Sequence, residues 1–321
     1  MRSIQVTSLD GPRSASVAEV PDATAGPEEV LVEVEAVGVS WPDLLQTRGE
    51  YQVKPDLPFQ LGVDFAGVVR SAPGDADVAE GQRVACVLPY GGGADLVAVH
   101  PEAVFPLPDA MTFEKAAALP MNYLTAEFAL GLRAGLQPGE TVLVHGAAGG
   151  VGTATVQVAK GMGARVVAVV STEAKADVAK AAGADETVLV EGFRDAVKQL
   201  TDGRGVDVVM DVVGGEVMTD SLRSLGPLGR VLVVGFTAGS IPEVKVNRLL
   251  LNNIDVRGVG WGAYAMVRPG FMQEQWTRLV PMLESGVVDP PLGKVYPVEQ
   301  VSDALTEMEQ RRTLGKSVLR F

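Results

Sequence analysis

The run His145-Gly146-Ala147-Ala148-Gly149-Gly150-Val151-Gly152 carries the clearest chemical signal in the sequence. Gly146, Gly149 and Gly152 recur at every third position, and Gly150 stands beside them. Glycines so spaced permit a tight turn and let backbone N–H groups approach a pyrophosphate at a helix N-terminus. A glycine pattern alone recurs by chance, and its bland reading is a turn in an α/β core. The setting gives it weight: a strand-like run at Thr141–His145, a helix-like run from Val151 to Met162 closed by Gly163, and a second strand at Arg165–Val170. Gly149, Gly150, Val151 and Gly152 are therefore expected to contact a dinucleotide.

The end of the second strand indicates which dinucleotide. A site that prefers NAD usually places Asp or Glu there, about 20 residues on, to accept from the ribose 2′-hydroxyl. This chain has Val170-Ser171-Thr172 followed by Lys175. Two hydroxyls and an ammonium suit a 2′-phosphate better than a bare hydroxyl, so NADPH is the expected cofactor, with Ser171 and Lys175 on its phosphate. Glu173 offers a competing route to the ribose, and a plain solvated helix residue is the alternative for Lys175.

These positions need elements to hold them. In the first third, Val30, Val32 and Val34 alternate with Leu31, Glu33 and Glu35, a period of two that predicts a half-buried strand. Short apolar runs follow at Ala66–Val69, Val84–Leu88 and Leu96–Val99, and Gly91-Gly92-Gly93 is expected to form a hairpin or bulge. From about Ala116 strands alternate with helices of about ten residues, which predicts a doubly wound parallel sheet. After it come helices near Phe271–Leu283 and Val298–Arg311 and a strand at Lys316–Arg320. The expected organisation is an outer domain split in sequence, residues 1–120 and 257–321, around a nucleotide domain at 121–256.

Composition narrows the function classes. Forty acidic against 27 basic side chains give a formal charge of −13, which disfavours nucleic acid and anionic membranes as partners. Residues 141–159 carry no charge, yet their glycines and hydroxyls fit a strand–turn–helix better than a spanning helix. Cys86 is the only cysteine and the N-terminus lacks an apolar signal core, so a cytoplasmic protein is expected.

Across essentially its whole length the chain resembles the medium-chain dehydrogenase/reductase superfamily, and within it the quinone oxidoreductase (zeta-crystallin-like) family. The resemblance rests on Gly38-Val39-Ser40-Trp41-Pro42-Asp43, Arg48-Gly49-Glu50-Tyr51, the run Gly62 to Val69, Gly81-Gln82-Arg83-Val84 and Ala117-Ala118-Leu119-Pro120. The glycine turn, Asp211-Val212-Val213-Gly214-Gly215 and Thr313-Leu314-Gly315-Lys316 complete it. It implies an α/β protein with a GroES-like β-barrel catalytic domain plus a doubly wound Rossmann domain, assembled as a homodimer or homotetramer. It also implies that Ser40, Trp41, Pro42 and Asp43 border the nicotinamide with Thr125, Phe236 and Thr237, and that Arg311 reaches the cofactor. Many relatives have Asn where Ser40 stands, and often Tyr where Val190 stands. Asn122 is a further candidate beside Thr125.

Zinc-dependent relatives place Cys after the early Gly-Val and a His-Glu pair in the next glycine motif. Here Val39-Ser40 and Val63-Asp64 stand there, and the chain has one Cys and two His, so no metal is expected. The chemistry then falls to the nicotinamide, with Tyr51 and Asp43 as catalytic candidates. A quinone needs little beyond positioning for hydride transfer. An enone or enoyl thioester needs an acid at its α-carbon, and the resemblance offers Tyr51; equally, Tyr51 forms an aromatic wall, with Trp41, Trp261 and Tyr264 as further wall or core residues. Reduction of a quinone is the leading expectation. The rivals are reduction of an enone or enoyl thioester, for whose CoA phosphates Arg311 and Arg312 are the nearest basic pair, and a non-catalytic NADPH-binding structural or RNA-associated protein.

Overall fold

The computed structural model describes all residues from Met1 to Phe321. The chain opens with β1 (Arg2–Val6), β2 (Ala15–Glu19), β3 (Val30–Gly38), α1 (Trp41–Gln46), β4 (Phe59–Gln60), β5 (Asp64–Ser71), β6 (Arg83–Val87), β7 (Leu96–Val99), β8 (Val104–Pro106) and α2 (Phe113–Ala116). The middle runs through α3 (Pro120–Glu127), β9 (Thr141–His145), α4 (Gly150–Gly161), β10 (Arg165–Val170), α5 (Glu173–Ala181), β11 (Glu186–Leu189) and α6 (Phe193–Leu200). It continues with β12 (Val206–Asp211), α7 (Val217–Ser224), β13 (Leu225–Val233), α8 (Asn247–Asn252), β14 (Asp255–Gly258) and α9 (Trp261–Ala265). The last part holds α10 (Phe271–Glu284), β15 (Leu292–Pro297), α11 (Val301–Glu309) and β16 (Lys316–Arg320).

The elements form two compact units. The first contains Met1–Asn122, Arg268–Thr277 and Leu292–Phe321. Its larger sheet runs β15-β16-β3-β5-β6-β8, with β7 also on β3, and a smaller sheet runs β2-β1-β4. In β3 the alternating valines face inward and Leu31, Glu33 and Glu35 do not, as the period of two requires. The C-terminal strand β16 pairs antiparallel with β3, Val318 opposite Gly38 and Leu319 opposite Val37, so residues from both ends of the chain share one sheet. Gly91-Gly92-Gly93 forms neither hairpin nor bulge. Its backbone lies against residues 61 and 62, where Gly92 N–H donates to the Gly62 carbonyl and Gly93 N–H to that of Leu61. Small residues were needed there for close backbone approach rather than for reversal.

The second unit contains Tyr123–Val267 and Arg278–Pro291. All six of its strands are parallel, in the order β11-β10-β9-β12-β13-β14. Reversal of strand order at β9 is the arrangement that places ligands outside the carboxyl ends of the strands. Leu143, Val167, Val209 and Val231 from the sheet pack with Phe193, Val197, Met218 and Leu222 from the helices. The expected return to the outer domain at residue 257 is corrected here. Residues 255–258 form β14, paired with β13 from Arg230↔Asp255 to Val233↔Gly258, and the return comes at 268 and again at 292. Asp-Val-Arg-Gly is short and half charged, and so carries no alternation to read. No helix is long and apolar enough to cross a membrane.

Candidate active site

In the second unit, β9 ends at His145, Gly146 turns with a φ of 62°, and Gly149 caps α4. A Cβ at Gly152 would lie 2.1 Å from the Gly146 carbonyl oxygen, so only glycine lets the helix pack onto its own turn. The N–H groups of Gly150, Val151 and Gly152 fall in the first helical turn, where no intrahelical acceptor exists. They stand at the carboxyl end of the sheet's central strands, on the positive end of a 12-residue helix.

His145 adds no charge beneath this turn. Its Nε2 lies 2.8 Å from Ser221 Oγ, and that hydroxyl donates to the Val217 carbonyl at 2.8 Å. The imidazole is therefore the donor in the pair, with its proton on Nε2. Burial lowers its pKa to about 4, against the opposite pull of Asp211, so the ring is neutral at physiological pH. Asp211, at the end of β12, accepts from Val213 and Gly214 N–H at 2.8 and 2.9 Å and shapes the neighbouring turn. That turn meets the loop after β13, where Thr237 N–H donates to the Val212 carbonyl and Phe236 is partly exposed.

Beyond β10, Thr172 caps α5 by accepting from Lys175 N–H, and Lys175 Nζ lies 3.2 Å from Ser171 Oγ. The structure thus brings a hydroxyl and an ammonium together one strand from the glycine turn. Glu173 is exposed in the first turn of α5. Thr125 is buried in α3, Val190 is exposed, Trp261 is buried, and Tyr264 packs tilted on Phe128 with ring centroids 5.1 Å apart.

In the first unit Ser40 precedes α1, which carries Trp41, Pro42 and Asp43. Ser40 and Asp43 form a capping box, Asp43 accepting from Ser40 N–H at 2.8 Å, and the Ser40 hydroxyl also donates to Asp64 at 2.8 Å. Asp64 also accepts from Met121 N–H at 2.7 Å and from Lys316 Nζ at 2.8 Å, and Lys316 Nζ lies 2.5 Å from Ser40 Oγ. All four side chains are buried. Sequence reasoning named Asp64 and Lys316 only as parts of motifs. The available signal was a charge at the first residue of each of two strands with apolar middles.

The cluster holds two carboxylates and one ammonium. Burial pushes the Asp43 carboxyl up to about 7, with Ser40 N–H and Lys316 pulling down and Asp64 pushing up. Its Oδ1 makes no hydrogen bond of good geometry and borders a small cavity walled by Ile4, Leu61, Val301 and Leu305. Tyr51 is half-buried, and burial together with Asp43 and Asp64 raises its pKa, so the phenol keeps its proton. Arg311 stands at the exposed end of α11 with a φ of 57°, outside the buried cluster.

Asp43 yields a pH-dependent stability. Folded, it keeps its proton to about pH 7; unfolded, only to about 3.8. The stability this group contributes is full below the lower value. It is lost as pH rises toward the higher one, at up to about 1.4 kcal/mol per pH unit. Asp43→Asn should remove that slope, gaining stability relative to wild type between about pH 4 and 7 and staying level above. Urea unfolding at several pH values across the window checks this, and parallel profiles for the two proteins would refute it.

Known proteins match both units. Residues 26–109 match the family described as alcohol dehydrogenase GroES-like domain, and residues 150–285 the family described as zinc-binding dehydrogenase. Quinone oxidoreductase-like protein 2 of Rattus norvegicus is 38% identical over 308 residues, 95% of this chain and 88% of the relative. The crystal structure of a probable oxidoreductase from Mycobacterium abscessus is 41% identical with a TM-score of 0.92, covering 100% of this chain and 99% of that one. That of the Escherichia coli quinone oxidoreductase complexed with NADPH is 28% identical with a TM-score of 0.89, covering 100% of both. With both units matched in order along one chain, the protein belongs to the quinone oxidoreductase-like family of the medium-chain dehydrogenase/reductase superfamily.

Proposed function

We propose that the protein is an oxidoreductase that binds NADPH and reduces a quinone without zinc. The observation that carries this reading is the open amino end of α4 together with the Ser171–Lys175 pair at the next strand end. The helix end suits a pyrophosphate and the pair suits a 2′-phosphate. The Escherichia coli relative crystallised with NADPH supports the same cofactor.

When bound, NADPH supplies the hydride from its nicotinamide. The chain's work is to hold that ring and exclude water. Gly150 and Val151 N–H hold the pyrophosphate, Ser171 and Lys175 the 2′-phosphate, and Ser40, Trp41, Pro42, Asp43, Thr125, Phe236 and Thr237 the nicotinamide end, with Arg311 a further contact. Once a quinone has accepted the hydride, the hydroquinone anion takes a proton from water, so no side-chain acid is needed. A second reading, enone or enoyl thioester reduction, draws on Tyr51, whose phenol holds its proton and could deliver it to an enolate carbon.

The residues here do not fit zinc. At the motif positions that hold ligands in zinc-dependent relatives stand Ser40, Val63 and Asp64. Asp64 is already taken up by an ammonium, a hydroxyl and a backbone N–H. A dication would have to displace Lys316 and find soft or imidazole ligands that are absent there. The only thiol, Cys86, is buried with its pKa raised by that burial, which suits an inert cysteine in a cytoplasmic enzyme.

The proposed assembly is a homodimer extended across β14. This edge strand has one hydrogen-bonded neighbour. Leu228, Ile241, Val246, Leu250, Leu251 and Val267, from the same part of the chain, are each 74–77% exposed. So many large apolar side chains in water favour coverage by a partner, and a second copy offers the same edge in return.

Three experiments test these readings. NADPH absorbance decay after chelator treatment should be fast with a small quinone and slow with a 2-enone or an enoyl thioester. Turnover confined to the latter two would make Tyr51 the acid, and loss of activity on chelation would restore a metal. Lys175→Ala should raise KM for NADPH about tenfold or more and leave that for NADH unchanged; equal effects would remove the 2′-phosphate role. Light scattering should give a dimer or tetramer for the wild type, and Leu250→Asp with Leu251→Asp should shift it to monomer. A wild type that is monomeric at all concentrations would end the assembly proposal.

A further inference from the structure

We propose that Lys316 is a positioning residue for cofactor binding: its ammonium holds Ser40 and Asp64 and so fixes the start of the helix that carries Trp41, Pro42 and Asp43. The inference rests on the reading that residues 40–43 border the nicotinamide.

The geometry shows how a residue on the last strand governs a helix so far from it in sequence. Ser40 and Asp43 form a capping box at the start of α1, with Asp43 accepting from Ser40 N–H. The Ser40 hydroxyl also donates to Asp64 and its oxygen receives Lys316 Nζ, so the entry to α1 is tied to β5 and β16 as well as to its own backbone. The route for the lysine stem is kept open by Gly38. A Cβ there would stand 2.9 Å from Lys316 Cε and 2.0 Å from the Ala117 carbonyl oxygen. The charged groups facing this point are Asp64 from β5 and Asp43 from α1, with Lys316 itself from β16.

Without the ammonium, Ser40 Oγ loses its tie to β16, and only Asp64 still holds the start of α1 to the sheet. Asp64 meanwhile is left buried without its cation. The strand itself should stay, because β16 keeps its backbone pairing with β3 and the Ser317 carbonyl still accepts from Val39 N–H at 2.9 Å. The effect should therefore be confined to the nicotinamide end of the cofactor.

Titration of the purified protein with NADPH and with adenosine 2′,5′-bisphosphate, which lacks the nicotinamide, separates a positioning role from a structural one. Lys316→Met should weaken NADPH about tenfold or more while leaving the bisphosphate unchanged, and Lys316→Arg should recover part of the loss. Lys316→Met combined with Asp64→Asn removes both charges and guards against a misfolded single variant; it should show the same split. Equal weakening of both ligands, or no weakening of either, overturns the proposal. Trp41→Ala identifies the source of a failure. If it too leaves NADPH affinity unchanged, the placement of residues 40–43 is wrong and the role of Lys316 falls with it. If it weakens NADPH while Lys316→Met does not, only the role of Lys316 falls.

Discussion

A lysine ammonium survives among buried β-strands only where a carboxylate and further polar groups meet it, because taking both charges out of water costs several kcal/mol per ion. Lys316 and Asp64 satisfy that condition at 5% and 0% side-chain exposure. Much of the first unit follows from this pair. The C-terminal strand must stay in register with β3, since a one-residue slip would turn Lys316 to the other face. Gly38 must lack a side chain, and Ser40 must serve the ion pair as well as the helix it precedes. Residues near positions 40, 64 and 316 are thereby locked into one polar site inside an otherwise apolar barrel.

The second unit solves a comparable problem without burying net charge. Its proposed anion site is made of backbone: the first turn of α4 leaves N–H groups without intrahelical acceptors and the helix supplies the field. The nearest ionisable ring, His145, is held neutral by burial and spends its proton on Ser221. The cation that this unit is proposed to offer the cofactor, Lys175, is half-exposed, where solvation costs little. Asp43 in the first unit lies between these cases. It is buried without a cation of its own, and it responds by keeping its proton.

Most of the second unit was legible in the sequence because its central strands are buried on both faces and α4 and α5 are closed by Gly163 and Gly183. Thr141–His145, Arg165–Val170 and Phe193–Leu200 fall where their patterns put them. What failed to read was short or charged. The strand β14 has too few apolar residues to show a period, and Gly91–Gly93 spends its freedom on close backbone contact instead of a turn. The turn at the glycines and the approach of Lys175 to Ser171 were legible because both are contacts between residues close in sequence. The Asp64–Lys316 pair was not, since its meaning depends on a contact between residues 252 positions apart.

A chain of formal charge −13 that binds an anionic dinucleotide contains no contradiction. Charges on an exposed surface are screened beyond about 8 Å at physiological salt. A ligand lying against one helix end and one lysine feels those groups far more strongly than the distant carboxylates. A polyanion is different, because it must lie along tens of ångströms of acidic surface. The same reasoning bears on the hydride acceptor. A neutral quinone or simple enone meets no electrostatic barrier on approach, whereas the phosphates of an enoyl-CoA would need a basic entrance. The exposed pair Arg311 and Arg312 is a small offset for such a load, and this favours the neutral acceptor.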